Sequence, residues 1–159
     1  MLELHALPVN VVACFARAEV LDRLSDGGED CLRVAPDELL LFGARERLAD
    51  VEEKLNILDH AGVALDLSSA FAIWALCGND RLEAFCRLSE LKLPDPPGVV
   101  QGLVAHVPAK VIVRPDEIVM IVSSTVSHHI RERVLTACAD LAPSERNRQD
   151  VLVRERVPA

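Results

Sequence analysis

The stretch Val34–Gly43, VAPDELLLFG, returns at Val113–Val122 as VRPDEIVMIV. The two Pro-Asp-Glu triplets start at Pro36 and Pro115, 79 residues apart in a chain of 159. Proline presets a turn-compatible φ and aspartate hydrogen-bonds its neighbouring backbone, so each triplet reads as a tight turn. The flanks, DCLRV and ELLLF around the first and AKVIV and EIVMIV around the second, are leucine-rich and β-branched. Two hairpins are expected, one in each half of the chain.

Working outward, each hairpin is followed by a helical pattern. Leu48, Val51, Leu55 and Leu58 recur at three or four residues after the first, as do Val126, Ile130, Val134, Ala137 and Leu141 after the second. Ser123 or Ser124 can cap the second helix and Pro143 ends it, while Gly43 and Gly62 bracket the first. Upstream, VVACFARAEVLDRLSD and FAIWALCGNDRLEAFCRLSE both read as an apolar strand, a polar break and a short helix ending in Arg-Leu-Ser. In the second of these, Asn79 or Asp80 can cap the helix, and Glu83 completes a capping box if Asp80 is the cap. The second copy carries a Pro-Gly-rich insertion, Leu91–Gly102, with room for one further strand near Val99–Val107. GVALDL at Gly62–Leu67 and DVLVRERV at Asp150–Val157 each add a closing strand.

Each half then reads β-α-β-β-α-β, the order of the ferredoxin-like split βαβ with two helices on one face of an antiparallel sheet. The expected fold class is α+β. A single domain over residues 1–159 is expected, made of two fused ferredoxin-like (βαββαβ) pseudo-repeats at about 8–68 and 70–157, whose exposed faces can bury each other.

Composition narrows the function. Half the residues are hydrophobic, enough for a sizeable core, and the net charge of −8 argues against a protein that tracks nucleic-acid phosphates. Aromatic residues make up 3%, with no tyrosine, which disfavours a site built on stacking. Five cysteines, with no Cys-x-x-Cys pair, sit mostly in apolar runs and read as reduced thiols of a cytoplasmic protein. The start, MLELHALPVN, has neither a basic segment nor a long apolar one, and no uncharged run approaches the roughly 18 residues of a membrane helix. No membrane partner is expected.

Taken in order, CLRVAPDELLLFG, GVALDLSSAFAIWALCGNDRLEAFCRLSELKL and KVIVRPDEIVMIV resemble the gamma subunit of heterotetrameric sarcosine oxidase, a family grouped with the folate-binding aminomethyltransferase domains. In that family the first hairpin typically reads Leu-Gly-Pro-Asp-Glu-Trp-Leu-Leu; Val34–Leu41 match it with Leu39 in place of the tryptophan. The family's Asp-x-Ser, strand, Gly and helix are met by Asp66, Ser68, Gly78 and Leu82–Leu88. The resemblance spans Cys31–Ala139 and says least about Met1–Asp30.

The resemblance implies a folate-binding aminomethyltransferase-domain-like fold. It also implies a small, non-catalytic subunit of a complex that oxidatively demethylates sarcosine to glycine and passes the one-carbon unit to tetrahydrofolate. The partners implied are larger flavoprotein subunits, with this chain packed against the folate-domain region of one of them. FAD, FMN, NAD and tetrahydrofolate then belong to those subunits, and no cofactor is expected in this chain. Aminomethyltransferases carry an acidic Gly-Gly-x-x-Asp-Asp loop before the strand matching Lys110–Val113. Here GLVAHVPAKVIV holds no carboxylate, so the group that would move a proton at the folate nitrogen is missing. The Lys-Gly-Cys-Tyr-x-Gly-Gln-Glu motif of the related iron-sulfur maturation proteins is absent too.

Few residues invite chemistry on their own. Asp66 and Ser68 can form a hydrogen-bonded turn at a strand end, or be the remnant of a ligand contact. His128 and Glu132 share a helix face at ligand spacing, but Arg131 and Arg133 oppose a cation and no third ligand is near, so no metal is expected. His106 reads as a surface imidazole. Cys77 precedes a helix whose N-terminus would favour a thiolate, yet a small apolar packing residue is the simpler reading. No catalytic residue is assigned. Two rivals stand beside the subunit reading: a stand-alone folate-like binding module or degenerate transferase, and a protein whose isolated chain forms a homodimer through sheet edges.

Overall fold

Both Pro-Asp-Glu turns close hairpins, each in a different sheet. The computed structural model describes residues 1–25, 31–43 and 45–148. In chain order its strands and helices are β1 (Glu3–Leu7), β2 (Val11–Phe15), α1 (Ala18–Leu24), β3 (Cys31–Ala35), β4 (Glu38–Phe42), α2 (Arg45–Leu58), β5 (Val63–Asp66), β6 (Phe71–Cys77), α3 (Arg81–Leu88), β7 (Gly98–Val104), β8 (Val107–Val113), β9 (Glu117–Ser123), α4 (Ser127–Ala137) and β10 (Ser144–Asn147). Among the described residues this is a mixed α+β structure with two sheets and four helices. The described residues divide into two units: unit 1 is Met1–Pro8 together with residues 69–148, and unit 2 is Val9–Ser68.

Unit 2 runs β2-α1-β3-β4-α2-β5 and orders its strands β3-β4-β2-β5, every neighbour antiparallel. Ala35 faces Glu38, which leaves Pro36 and Asp37 as a two-residue turn, and Arg33 Nη1 donates to the Pro36 carbonyl at 2.9 Å. The helices cover one face. Leu48 and Leu55 of α2 and Val20 and Leu21 of α1 bury against Cys14, Leu39 and Leu41, with Val51 and Leu58 half-buried beside them, as the spacing predicts. Helix α1 has seven residues, about 10 Å of length, against about 17 Å for a five-residue strand. It cannot cover the sheet from end to end.

Unit 1 orders its strands β10-β1-β6-β9-β8-β7, antiparallel throughout except for the parallel pair β1 and β10. Its hairpin closes where the Arg114 amide donates to the Glu117 carbonyl at 2.9 Å. Phe85 and Leu88 of α3 and Ile130 and Val134 of α4 meet Leu4, Leu76, Val111, Ile118 and Met120 in one cluster. Each fully buried side chain of this size stabilises by about 1.5–3 kcal/mol. Arg87 clips the two helices together, donating to the Ala137 carbonyl at 3.1 Å and to Asp140 Oδ2 at 3.0 Å.

The insertion Leu91–Gly102 supplies β7, close to the strand position expected, and a connection that lies on the core. Ser89 Oγ donates to the Leu103 carbonyl at 2.6 Å and accepts from the Leu91 amide at 3.1 Å. Leu91 and Leu93 thereby come down on the apolar cluster. A Cβ at position 102 would sit 2.4 Å from Leu91 Cδ2, so only glycine leaves Leu91 this seat. At the other end of the unit, Gly78 has φ +92° and a Cβ there would lie 2.2 Å from the Met1 carbonyl oxygen. That backbone and that approach both require glycine.

Several expectations differ from the structure. Strand β1 was not expected; it enters the sheet between β6 and β10, so unit 1 is not built from the second half of the chain alone. Its pattern is legible afterwards: Leu2 and Leu4 are fully buried on one side, while on the other Glu3 and His5 pair at 2.8 Å. The closing strand expected at Asp150–Val157 lies outside the described residues, and the strand found is β10, whose side chains are all exposed. The capping box at α3 does not form: Asp80 makes no side-chain cap and pairs with the Met1 ammonium, and Glu83 pairs with Arg87. Ser123 does cap, accepting from the Thr125 amide at 3.4 Å at the 3-10 turn that leads into α4.

Candidate functional site

The Asp66–Ser68 pair ends β5 and turns the chain into a short 3-10 turn, Ser68–Ala70. Asp66 Oδ1 accepts from the Ser68 amide at 2.9 Å and from Ser68 Oγ at 2.6 Å. Ser68 Oγ in turn accepts from the Val11 amide at 3.0 Å, which ties the turn to the start of β2. The hydroxyl and amide of Ser68, with the charge of Arg45, hold the Asp66 carboxyl below its ordinary range.

The pair lines one wall of a cleft of about 280 Å³ in unit 2, between β2 and β5 on one side and the first half of α2 on the other. Arg45 and Glu52 face it from α2, and Asn10, Val12 and Ala64 complete the sheet side. The cleft therefore offers an anchored carboxylate, a guanidinium and a second carboxylate around an apolar floor. Such a set can hold a small molecule bearing charges of both signs. It is poorly suited to proton transfer: Asp66 is held ionised, and no histidine or cysteine is in the lining among the described residues.

The remaining candidates are scattered. Cys77, in β6, has its thiol pushed up to about 11 by burial and by the nearby Glu117, opposite to what a nucleophile needs. Its Sγ lies 3.8 Å from Glu117 Oε2. His128 pairs with Glu132 at 3.1 Å on an exposed face, while His129 Nε2 is 2.9 Å from the Ala105 carbonyl oxygen, so the adjacent histidines serve different contacts. Among the described residues no three His, Cys, Asp or Glu side chains converge as a metal site. His106 is exposed at the β7–β8 turn, where it and Ala105 have φ of 69° and 50°. The stretch without carboxylates between Gly102 and Val113 is thus drawn into a tight hairpin.

Sequence reasoning missed the most buried charge. Glu117, taken only as part of a turn, keeps 2% of its surface, accepts from Arg114 Nη1 at 2.7 Å and from Arg148 Nη1 at 2.6 Å, and is neighboured by Cys77. The available signal was Arg114, which stands where the first triplet has Ala35. This cluster is an ion-paired strut.

The chain is similar to a chain of heterotetrameric sarcosine oxidase from Corynebacterium sp. U-96, solved in complex with pyrrole 2-carboxylate. The TM-score is 0.73 at 14% identity, over 91% of this chain and 87% of that one. It is also similar to the regulatory subunit of aspartate kinase from Thermus thermophilus in its ligand-free form, with a TM-score of 0.51 at 12% identity over 86% of this chain and 97% of that one. At these identities the likeness is one of fold. No protein-family model matches the chain, and no curated protein matches it in sequence. Among the described residues no helix is long and apolar enough to cross a membrane.

Proposed function

We propose that this chain is a non-catalytic small subunit of a sarcosine oxidase-type complex, which demethylates sarcosine oxidatively to glycine and transfers the one-carbon unit to tetrahydrofolate. The observation that carries the reading is the fold likeness to a chain of such a heterotetramer, with coverage of 91% and 87%. Near-equal coverage means that the matched chain is also a small one. The ordered motifs from Cys31 to Ala139 favour the gamma subunit in particular. A cleft without an acid/base pair and a β7–β8 hairpin without carboxylates support a role in assembly over chemistry.

On this reading the chain works in the cytoplasm and packs against the folate-domain region of a larger flavoprotein subunit, and FAD, FMN, NAD and tetrahydrofolate are bound by the larger subunits. Its two units are fused ferredoxin-like pseudo-repeats. The strand order of unit 2 supports this directly; in unit 1 the same plan is extended by β1 beside β6 and by β7 at the edge. The test is to purify the tagged chain from its native host and record the absorbance and mass spectra of whatever stays bound. A stoichiometric flavoprotein supports the subunit role; sarcosine demethylation by the chain alone sinks it.

A second reading, a stand-alone folate-like binding module, rests on Asp66 and Ser68 lining a cleft. Calorimetric titration with tetrahydrofolate decides it: saturable heat at micromolar ligand, lost in Asp66→Asn, favours the module, and a flat titration removes it.

A further inference from the structure

Strand β5, Val63–Asp66, is an edge of the unit 2 sheet, paired with β2 on one side and with no described strand on the other. The Leu67 amide donates to the Val11 carbonyl at 2.9 Å, and antiparallel alternation then turns the backbone of Leu65 and Val63 toward β2. The N–H and C=O groups of Ala64 and Asp66 point the other way, out of the sheet, and among the described residues no strand or side chain meets them. No lysine, proline or register shift blunts this edge. At the β7 edge of unit 1, by contrast, the Leu103 carbonyl is taken by Ser89 Oγ.

The two faces beside the β5 edge differ in chemistry. Val63 and Leu65 lie on the side away from the helices and keep 48% and 46% of their surface in water. Ala64 lies on the helix side, where a cleft of about 560 Å³ separates Gly62, Val63 and Ala64 from Glu52, Glu53 and Asn56 of α2. Glu52 also lines the smaller cleft that holds Asp66, so three carboxylates stand along this side of the edge. Neither glutamate is ion-paired among the described residues. Arg45, whose charge acts on Asp66, is not in the lining of the larger cleft.

We propose that the β5 edge takes up an extended segment of another protein chain, paired antiparallel, with basic side chains entering the cleft under α2 and apolar ones beside Val63 and Leu65. The proposal is independent of the subunit reading. Backbone hydrogen bonds to Ala64 and Asp66 supply the docking, and the carboxylates supply the choice of sequence. A second copy of this chain fits poorly: a two-fold axis at Leu65 sets Asp66 of each copy opposite Ala64 of the other, adding carboxylate to carboxylate in a chain of net charge −8.

Isothermal titration of the full chain with a capped heptapeptide of alternating valine and lysine tests it, beside a copy with glutamate for each lysine. One saturable site is expected for the lysine peptide, with the glutamate peptide at least about tenfold weaker. In antiparallel pairing the residues whose side chains enter the cleft are also those whose N–H groups face Ala64 and Asp66. N-methylation of the lysine amides should therefore abolish binding, and N-methylation of the valine amides should change it by less than about threefold. Ala64→Pro removes an outward N–H without touching a bond to β2 and should abolish binding, while the double variant Glu52→Lys, Glu53→Lys should weaken it about tenfold. Absence of saturable binding, equal affinity for both heptapeptides, or equal loss on methylating either set of amides overturns the proposal. So does a concentration-dependent dimer of the chain alone that Ala64→Pro dissolves in sedimentation, which would give the edge to a second copy. Should Ala64→Pro lose its circular dichroism signal, the methylated peptides and the exposed charge reversals decide the matter.

Discussion

In unit 2 the glutamate of the Pro-Asp-Glu turn, Glu38, is half-buried, whereas in unit 1 its counterpart Glu117 is almost wholly buried and gripped by Arg114 and Arg148. In both places Pro and Asp form the turn, because they act on the backbone within a few atoms of themselves, although the first hairpin shifts register between Arg33 and Ala35 and the second keeps its register. What differs is the residue before the proline, Ala35 in one and Arg114 in the other, and a distant arginine that arrives from beyond β10. A repeated motif therefore places a turn twice while its third member takes its role from tertiary surroundings. The same division runs through the helical layers, where unit 1 fills the space beside its short helix with Leu91 and Leu93 and, among the described residues, unit 2 has a cavity of about 390 Å³ between α1, β4 and α2.

The sharpest way to break this comparison is to remove the glutamate from each turn. Glu117→Ala removes the carboxylate of the buried pair with Arg114 and should cost about 3–5 kcal/mol. Glu38→Ala removes a half-buried side chain without a comparable partner and should stay within about 1 kcal/mol. Urea denaturation midpoints read both. Equal losses would mean that the two turns are energetically alike and that the ion-paired strut contributes nothing particular to unit 1.

A smaller effect sharpens the contrast between the helical layers. Leu91→Ala withdraws a half-buried side chain from its seat over Gly102 and should cost about 2 kcal/mol, at the low end for leucine because part of the surface already meets water. It should also give unit 1 a cavity like that of unit 2. A loss below about 0.5 kcal/mol would show that the insertion is a surface connection and does not plug the core.

How far the sequence reached follows from the range of each signal. Hairpins, the helical stripes of α2 and α4, and the strand inside the insertion all rest on contacts within a few residues or on period alone, and they were readable. Strand β1 was not, because Leu2 and Leu4 alternate over too few positions to stand out and their partners in β6 lie about seventy residues on. Strand β10, SERN, carries no hydrophobic pattern at all; it exists because backbone groups beside β1 need partners, as in the Ser144 amide donating to the Leu2 carbonyl at 3.1 Å. The failed capping box at α3 is the same lesson in reverse: Asp80 and Glu83 suit the local role, but the Met1 ammonium, brought in by the fold, takes Asp80, and Arg87 one turn along the same helix takes Glu83. Of the candidate site, the Asp66–Ser68 turn was legible from spacing, but Arg45 and Glu52 across the cleft were not, since nothing in the sequence places the start of α2 opposite the end of β5.

The smallest expected effect belongs to that turn, and it separates a structural role from an incidental one. Ser68→Ala removes the hydroxyl that accepts from Val11 and donates to Asp66, a change of about 1 kcal/mol. The Asp66 carboxyl is held below its ordinary 3.8, chiefly by the Ser68 hydroxyl and amide, so the stability it contributes is complete above its unfolded value and is lost as pH falls through the lower folded value. The melting-temperature difference between the native chain and Asp66→Asn should therefore stay constant from neutral pH down to about pH 5 and shrink between about pH 5 and pH 2. In the Ser68→Ala background, where only the amide still donates to the carboxylate, the acid limb should be shallower. A difference that is flat across the whole range would mean that the carboxylate is not engaged with Ser68 in solution, and Asp66 would then face the cleft with no anchored geometry to offer a ligand.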